Sequence, residues 1–201
     1  MPRRSSPAAS VGLPWLIVVG IGGLALLPRL LSGSRQAALP VYGDVPAFTL
    51  VDQQGQAVSR DTLRGSVWVA DFIFTRCAGQ CPMMAAQMAQ LAAQLPPRSG
   101  VRLVSFTVDP VWDTPDALAR YAQAHPSSSA WSFLTGEEAT IRRLCREGFH
   151  LAFSEQGTDA EPLTHSTRLV LVDRQGRIRG SYDATDEAAM HQLGRDLRRV
   201  L

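Results

Sequence analysis

The sequence predicts an α/β fold in which helices cover a central sheet, and three observations carry this prediction. Segments typical of strands and of helices alternate along the chain from about residue 44 onward. One strand segment is an almost unbroken apolar run, as a strand buried on both faces should be. The last part of the chain has the pattern of a hairpin followed by a helix. Hydrophobic residues make up 45% of the 201 residues and charged residues 19%, which is enough for a globular core.

The N-terminal part of the chain has the composition of a membrane segment. Residues 5–28 carry no charge, and their apolar run is long enough to span a bilayer. Arg3 and Arg4 precede it, which favours a cytoplasmic N-terminus and export of everything that follows. We therefore predict a membrane anchor over residues 1–31, and a signal peptide cut near Ala37 is the alternative. Either way, the domain enters an oxidising compartment, where cysteine pairs can exchange with disulfides.

A linker without periodicity follows over residues 32–43, and we place the globular domain at residues 44–201. The domain begins with AFTLVDQQGQAV, which predicts a short hairpin that turns at Gly55. SVWVADFIF, residues 66–74, is the buried strand. A helix then begins at Pro82, because proline suits the first helical position. The apolar stripe of this helix consists of Met84, Met88, Leu91 and Leu95.

The second half of the domain continues the alternation. VRLVSFTV predicts a strand, and DTPDALARYAQAH predicts a helix with Thr114 as its N-cap and Pro115 at its first position. In TGEEATIRRLCREG, Thr135 and Glu138 stand at the spacing of a capping box, and Gly148 ends the helix. TRLVLVDRQGRIRGSY predicts a hairpin that turns at Gln175 and Gly176, and TDEAAMHQLGRDLRRVL predicts a closing helix.

Charge and motifs exclude several classes of function. Every basic residue is an arginine; four of the 20 arginines precede residue 36, which leaves 16 against all 18 acidic residues. The domain is therefore slightly acidic and has no basic run, so we expect no nucleic-acid partner. The sequence also lacks a P-loop, a GxGxxG motif and a GxSxG motif, so phosphate binding and serine-hydrolase chemistry have no support.

Two of the three cysteines lie four positions apart, between the buried strand and the helix that follows it. Cys77 leaves the C-terminal end of the strand, where open α/β sheets place their ligand sites. If the helix begins at Pro82, Cys81 is its N-cap, and the positive end of the helix would stabilise a thiolate there. A permanent disulfide across so short a ring would constrain the unfolded chain little. The pair therefore indicates a redox couple or a metal site, and the spacing leaves both open.

The other sulfur-containing residues have structural explanations. Cys145 lies on the apolar side of the helix over residues 137–147, so we expect a buried structural thiol. Met83, Met84 and Met88 follow the cysteine pair and could bind Cu(I), but their helical spacing favours core packing.

Four histidines are the candidates for a further metal ligand. His125 at a helix end and His191 in the closing helix are expected in solvent, and His150 begins a predicted strand. His165 differs because EPLTHSTRLVLVD places it in a loop that enters a strand. The residues alone do not decide whether His165 is a ligand.

Four segments together resemble a known family: GDVPAFTLVDQQGQAV, VWVADFIFTRCAGQCPMM, TVDPVWDTP and THSTRLVLVDRQGRIRGSYD. They are similar to the Sco/SenC family of thioredoxin-fold copper proteins, from about Tyr42 to the C-terminus, and an N-terminal anchor is also typical of that family. The resemblance implies a thioredoxin-like fold with a mixed sheet. It further implies one copper ion per chain, Cu(I) or Cu(II), held by Cys77, Cys81 and His165.

The resemblance also bears on the residues around those ligands. It implies that Cys77 and Cys81 can form a redox-active disulfide. Asp109 and Asp113 lie in the matching segment TVDPVWDTP. They either act on the metal site from outside the ligand set or simply end a strand and precede a helix.

The function implied by the resemblance is the assembly of cytochrome c oxidase. Such a protein delivers copper to the dinuclear copper site of oxidase subunit II, reduces the cysteines of that site, or does both. This is the work of a metallochaperone and not of an enzyme in the strict sense. A copper donor chaperone and a thioredoxin-like reductant are further expected partners. The anchor would hold the domain on the periplasmic side of a bacterial inner membrane.

A thiol–disulfide oxidoreductase is the alternative function. Such reductases resemble one another in a CxxC pair and in a cis-proline before the facing strand, whereas this chain has CxxxC and no proline in LTHSTRLVLV. The two activities do not exclude each other, because thiols that bind copper when reduced lose it when oxidised. A peroxidase of the peroxiredoxin type would use Thr75 and Arg76 beside one cysteine, and the second cysteine argues against it.

Overall fold

The computed structural model describes residues 38–77, 79–96, 99–125, 131–151, 153–154 and 164–201. The predicted membrane anchor over residues 1–31 and most of the predicted linker lie outside these residues. In the part of the chain that is described, no helix combines the length and the apolar character needed to cross a membrane. Residues 39–201 form one compact unit.

The described residues form the following elements. The strands are β1 (Gly43–Asp44), β2 (Thr49–Val51), β3 (Ala57–Ser59), β4 (Trp68–Ile73), β5 (Arg102–Thr107), β6 (Trp131–Leu134), β7 (Phe153–Ser154), β8 (Thr164–His165), β9 (Arg168–Val172) and β10 (Arg177–Asp183). The helices are α1 (Arg60–Leu63), α2 (Cys81–Gln94), α3 (Pro115–Ala124), α4 (Glu138–Arg143) and α5 (Glu187–Val200). A π-helical turn over Leu144–Gly148 continues α4.

Six strands form the central sheet in the order β1-β10-β9-β4-β5-β6. β4, β5 and β6 are parallel to one another, whereas β9 pairs antiparallel with β4, β10 with β9, and β1 with β10. The parallel strands are connected through helices, and the antiparallel neighbours β9 and β10 are connected through a hairpin. The predicted α/β fold is confirmed, with a mixed sheet flanked by helices.

β4 is the interior strand that the apolar run predicted. All six of its residues are buried, because β5 and β9 pair with its two edges and other elements cover its faces. Burial on both faces explains why the sequence is continuously apolar, with Asp71 as the single exception.

An aromatic cluster forms part of the core. Phe72 of β4 and Phe106 of β5 occupy paired positions, and their rings stack with centroids 5.2 Å apart. The ring of Phe149, which follows the π-helical turn, lies 5.4 Å from that of Phe72 and 5.7 Å from that of Phe106. Trp68 meets Phe149 edge-on at 6.1 Å. The cluster thus holds the segment after α4 against the parallel strands.

The predicted capping box in front of α4 is wrong. The helix begins at Glu138 with Glu137 as N-cap, and no side chain caps it. Thr135 is instead buried and forms a β-bridge with Val51, with N–O distances of 2.9 Å in both directions. Pairing with a distant strand extends β6 and takes Thr135 away from the helix.

Other local predictions are confirmed. β2 and β3 form a hairpin with Gly55 at φ +74°, and β9 and β10 form one with Gly176 at φ +80°. A positive φ suits glycine, which explains its place at both turns. Thr114 is the N-cap of α3, since its hydroxyl accepts a hydrogen bond of 3.3 Å from the N–H of Ala117.

Candidate metal centre

The cysteine pair lies at the C-terminal end of β4, as predicted. The N–H of Val108 donates to the carbonyl of Ile73 (2.8 Å), so β4 and its neighbour β5 stay paired to their ends. The N–H of Cys77 then donates to the carbonyl of Phe74 (3.2 Å), which turns the chain away from the sheet. α2 begins four residues later, at Cys81.

Cys77 and Cys81 are in contact. The N–H of Cys81 lies 3.4 Å from the sulfur of Cys77, at the start of α2. Cys77 is half-buried, whereas only 1% of Cys81 is exposed. Both are thiols in this structure, as is Cys145. Two sulfurs at one sheet edge, one reachable from solvent and one beneath it, can bind a soft metal ion or form a disulfide.

The prediction that Cys81 is a helix N-cap with a stabilised thiolate is wrong. Gln80 is the N-cap, and Cys81 is the first helical residue with its side chain directed into the protein. Burial raises the pKa of Cys81 well above its ordinary value, and a hydrogen bond with Cys77 acts in the same direction. A backbone hydrogen bond with Phe74 opposes this effect but does not outweigh it. Desolvation of the charged sulfur therefore dominates over the helix dipole.

Asp113 ties the cysteine loop to the end of β5. The side chain is fully buried, and its carboxylate accepts hydrogen bonds from the N–H of Thr75 (3.1 Å), the hydroxyl of Thr75 (2.5 Å) and the hydroxyl of Thr107 (2.5 Å). Burial raises the pKa of Asp113, and the hydrogen bonds from the two threonines oppose the shift only in part. Asp113 thus acts on the backbone two residues before Cys77.

Asp109 makes the second link between the two loops. Its Oδ2 lies 2.6 Å from a guanidinium nitrogen of Arg76, the residue before Cys77. The same guanidinium stacks on the indole ring of Trp112, 4.3 Å from the ring centroid. Asp113 therefore contacts Thr75, and Asp109 contacts Arg76. The sequence pattern alone did not predict either contact.

A polar chain below the loop was missed by the sequence analysis. Asp71, buried within β4, accepts a hydrogen bond of 2.5 Å from the hydroxyl of Ser105, which in turn accepts one of 2.9 Å from the indole of Trp131. Burial raises the pKa of Tyr121, and Asp71 and Cys81 act in the same direction, so these groups lie within electrostatic reach of one another. The signal that could have revealed the chain was an acidic residue inside an otherwise apolar strand.

The third predicted ligand lies at the border of the described residues. The backbone of His165 belongs to β8, where it pairs with Phe153, three residues before β9 begins. Its side chain lies outside what the structure describes, so its convergence with the two cysteines stays a prediction. Among the side chains that are described, no three of the His, Cys, Asp and Glu type come close enough together to hold a metal ion.

The other three histidines have surroundings of their own, which the structure describes. His191 is exposed and 3.6 Å from Glu187, as expected for a solvated residue. His125 is half-buried instead, with its ring 4.6 Å from that of Tyr121, and burial lowers its pKa. His150 does not begin a strand; it precedes β7 with a φ of +53°.

The sulfur residues outside the pair pack in the core as predicted. Met84 and Met88 are fully buried on α2, and Met83 packs against the core from a partly buried position. Only 1% of Cys145 is exposed, and its sulfur lies 3.7 Å from the carbonyl oxygen of Leu151.

Comparison with known proteins places the chain in a family. The SCO1/SenC family profile matches residues 42–201. The SCO1 protein homolog of Bacillus subtilis is 32% identical over 179 residues, which is 88% of this chain and 92% of that protein. A candidate copper-binding protein from Stutzerimonas stutzeri is 32% identical over 154 residues, 75% of this chain and 74% of that protein.

Solved structures share the fold. BsSco, described as a member of the Sco family of cytochrome c oxidase assembly proteins with a disulfide switch, is 31% identical with a TM-score of 0.71, over 81% of this chain and 97% of that one. Copper-bound ScoI of Bradyrhizobium japonicum has a TM-score of 0.68 over 79% of this chain and 99% of that one, and its 24% identity supports the fold alone. From its profile match, its relatives and its cysteine-bearing sheet edge, the chain belongs to the SCO1/SenC family.

Proposed function

We propose that this protein binds one copper ion through Cys77, Cys81 and His165 and delivers it to the copper site of cytochrome c oxidase subunit II. The observation that carries the proposal is the contact between Cys77 and Cys81 at the end of β4, in a chain of the SCO1/SenC family. Two sulfurs and an imidazole suit Cu(I) and can also hold Cu(II), which a protein that accepts and releases copper requires. One relative that is named for copper binding supports the same choice of metal.

The protein's own residues prepare this site for the metal. Hydrogen bonds from Thr75 and Thr107 to Asp113 hold the loop that carries Cys77 before copper arrives. Cys81 stays protonated in the copper-free protein because it is buried, so copper binding must release its proton. Affinity for copper should therefore rise with pH.

Thiol reduction is the second candidate, and the contact between the two cysteines favours it as well. In this reaction the Cys77 and Cys81 thiols give two electrons and two protons to a disulfide of the oxidase subunit. The products are a Cys77–Cys81 disulfide and two thiols on the subunit. A thioredoxin-like reductant must then restore the pair before the next cycle.

The proposal includes a location for the protein. Residues 1–31 anchor the chain in a bacterial inner membrane, and the domain over residues 44–201 faces the periplasm. The full chain should stay with the membrane fraction after alkaline carbonate washing, and protease added to spheroplasts should digest the domain. Recovery of the domain in the soluble periplasmic fraction would support a cleaved signal peptide instead.

Copper binding is tested on a reduced fragment, residues 36–201, which holds the domain and part of the linker, by metal analysis and absorption spectroscopy. The parent protein should bind one copper per chain and show a sulfur-to-copper charge-transfer band with Cu(II). His165→Ala should weaken or abolish both, whereas the matched variant His191→Ala should leave them unchanged, since His191 is exposed on α5. Equal colour and affinity in His165→Ala would remove His165 from the site.

Delivery and reduction are separated in cells by comparing His165→Ala with Cys77→Ser. Copper delivery requires both residues, so both variants should lower the copper content of the oxidase. Reduction requires the thiols alone. If only Cys77→Ser lowers the copper content, thiol reduction is the main role.

A further inference from the structure

Two neighbouring apolar side chains next to the cysteine loop are exposed to solvent. Val111 is 84% exposed and Trp112 is 56% exposed, and they follow one another between β5 and α3. Among the described residues, the other large hydrophobic side chains with comparable exposure are Val41, Tyr42 and Leu201. Single exposed apolar residues are ordinary, but an adjacent exposed pair that includes an aromatic ring is typical of a contact surface for another protein. Val41 and Tyr42 form a second such pair, and of these described side chains only Trp112 contacts a residue of the cysteine loop.

The backbone under this pair is firmly held. The N–H groups of Trp112 and Asp113 both donate to the carbonyl of Asp109, at 3.2 and 2.8 Å. The carboxylate of Asp113 is buried beneath the turn with its three hydrogen bonds to Thr75 and Thr107. These bonds fix the backbone conformation of the turn that carries Val111 and Trp112.

The charge beside the pair is compensated. Arg76 lies under the indole of Trp112 at 4.3 Å from the ring centroid, and its charge is paired with Asp109 at 2.6 Å. The indole is therefore fixed in orientation by its contact with the guanidinium. The result is a rigid, apolar and electrically balanced surface, which we call the Val111–Trp112 patch.

The position of the patch indicates which kind of protein would bind to it. Trp112 lies on Arg76, and Arg76 directly precedes Cys77, so the patch contacts the residue next to the half-buried cysteine of the proposed metal site. Copper leaves this site only when the sulfurs of an acceptor come within bonding distance of the metal. Any protein that takes copper from Cys77 must therefore cover the surface around it, and the Val111–Trp112 patch is part of that surface.

We propose that the Val111–Trp112 patch is the docking surface for the cysteine-bearing copper domain of the oxidase subunit, the acceptor in the proposed function on which this inference rests. Docking brings the acceptor's thiols beside Cys77. Cu(I) then leaves the sulfurs of this chain and binds those of the acceptor without a change of oxidation state. The protons released by the acceptor thiols are taken up by Cys77 and Cys81.

The test uses the full chain in lipid nanodiscs and, as the probe, the purified copper-free domain of oxidase subunit II with reduced cysteines. Two quantities are measured: the Kd between the copper-free proteins, and the rate of Cu(I) transfer from the loaded chain. Val111→Ser should weaken binding several-fold, and Val111→Ser combined with Trp112→Ser should weaken it by about tenfold or more, as loss of an aromatic interface residue does. Transfer below saturation should slow by the same factors.

Val41→Ser is the matched control, because Val41 is 50% exposed but precedes β1, which β10 and β9 separate from β4. It should leave Kd and transfer rate unchanged. An unchanged Kd in the double variant would overturn the proposal. A loss of affinity for copper in the double variant would also overturn it, since Trp112 would then act on the metal site. So would a loss of self-association or of lipid binding with an unchanged Kd for the acceptor domain, since the patch would then contact a second copy of the chain or a lipid surface.

Failure of the proposed function gives a different result. If the parent chain binds the acceptor domain but holds no copper, the copper role is refuted while the Kd comparison still tests the patch. If the parent binds copper and transfers it at a rate that both patch variants match, the patch is refuted and the copper role stands.

Discussion

The carboxylate of Asp113 accepts three hydrogen bonds where β4 and β5 end, and this makes it the residue that joins the cysteine loop to the sheet. Thr75 supplies two of these bonds, one from its backbone and one from its hydroxyl. If a buried acceptor is removed by mutation, its donors stay buried without a partner. This costs more free energy than the hydrogen bonds themselves contribute.

Asp113→Ala should therefore lower the free energy of unfolding by about 2–3 kcal/mol, because the hydroxyls of Thr75 and Thr107 and one N–H would lose their acceptor. The measurement is urea denaturation of the reduced domain. Asp116→Ala is the control, since Asp116 is exposed in the first turn of α3 and should cost less than about 1 kcal/mol. Equal losses in the two variants would contradict this role of Asp113.

The surroundings of Asp173 should make the free energy of unfolding depend on pH. It is 3% exposed and accepts hydrogen bonds from Arg179 (2.7 Å), from Arg177 and from the backbone of the turn after β9. Burial alone would raise the pKa of Asp173, but the hydrogen bonds from Arg179 and Arg177 outweigh it and hold the pKa below its usual range. The folded state therefore prefers the charged form. Its contribution is present above the unfolded pKa of about 3.9 and is lost as the pH falls through the folded pKa.

Asp173→Asn should lower the free energy of unfolding at pH 7 by about 3 kcal/mol, because two arginines lose a buried partner. The difference between parent and variant should shrink as the pH falls below about 4. Denaturation at a series of pH values measures it. Gln175→Ala is the control at the same turn, since no titrating group is removed, and its effect should not change with pH. A difference for Asp173→Asn that is constant over the whole range would refute the pKa assignment.

At the scale of elements, the contact between β10 and α5 depends on a glycine. The hydroxyl of Tyr182 donates to the carboxylate of Asp196 (3.0 Å), which links the strand to the helix. The ring of Tyr182 crosses Gly180 so closely that an added Cβ would lie 2.5 Å from its Cζ. A rigid ring that bears a buried hydrogen bond cannot move aside at low cost.

Two glycine-to-alanine changes should therefore have opposite effects. Gly180→Ala should destabilise the protein by about 1–3 kcal/mol, because the new methyl group displaces Tyr182. Gly194→Ala, within α5, should stabilise it by about 0.5–1 kcal/mol, because a helical glycine is replaced and the nearest other atom lies 3.9 Å away. Thermal unfolding followed by circular dichroism measures both. Destabilisation by both changes, or by neither, would show that the crossing of Tyr182 over Gly180 is not what matters.

At the scale of the whole molecule, copper should stabilise the folded protein, because the predicted ligands come together only when the chain is folded. At a free copper concentration of 100 Kd the gain is about 2.7 kcal/mol. For a domain of this size, that corresponds to a rise in Tm of roughly 5–10 °C. Scanning calorimetry of the reduced domain with Cu(I), before and after addition of a Cu(I) chelator, measures the shift.

The oxidised protein provides the control for this shift. A Cys77–Cys81 disulfide has no thiolates to offer, so copper should leave the Tm of the oxidised domain unchanged. A shift of equal size in the oxidised domain would mean that copper binds elsewhere.

Much of the fold follows from local pattern, and the reason is physical. The apolar run of β4, the glycines at the two hairpin turns and the N-cap Thr114 act over a few residues, so their consequences can be read along the chain. The position of Cys77 after a buried strand belongs to the same class. Thr135 shows the limit, because its backbone pairs with Val51, 84 residues earlier, and that pairing removed a capping box that looked complete locally.

The sequence by itself determined the α/β class, the interior strand β4, the two hairpins and the place of the cysteine pair at a strand end, because periodicity and turn residues act locally. Only the tertiary structure decided the state of that pair. Burial of Cys81 overrides the helix end beside it, Asp113 reaches back to Thr75, and Trp112 comes to lie on Arg76. Each of these depends on which side chains the sheet brings together from distant parts of the chain, and on how far it shields them from water.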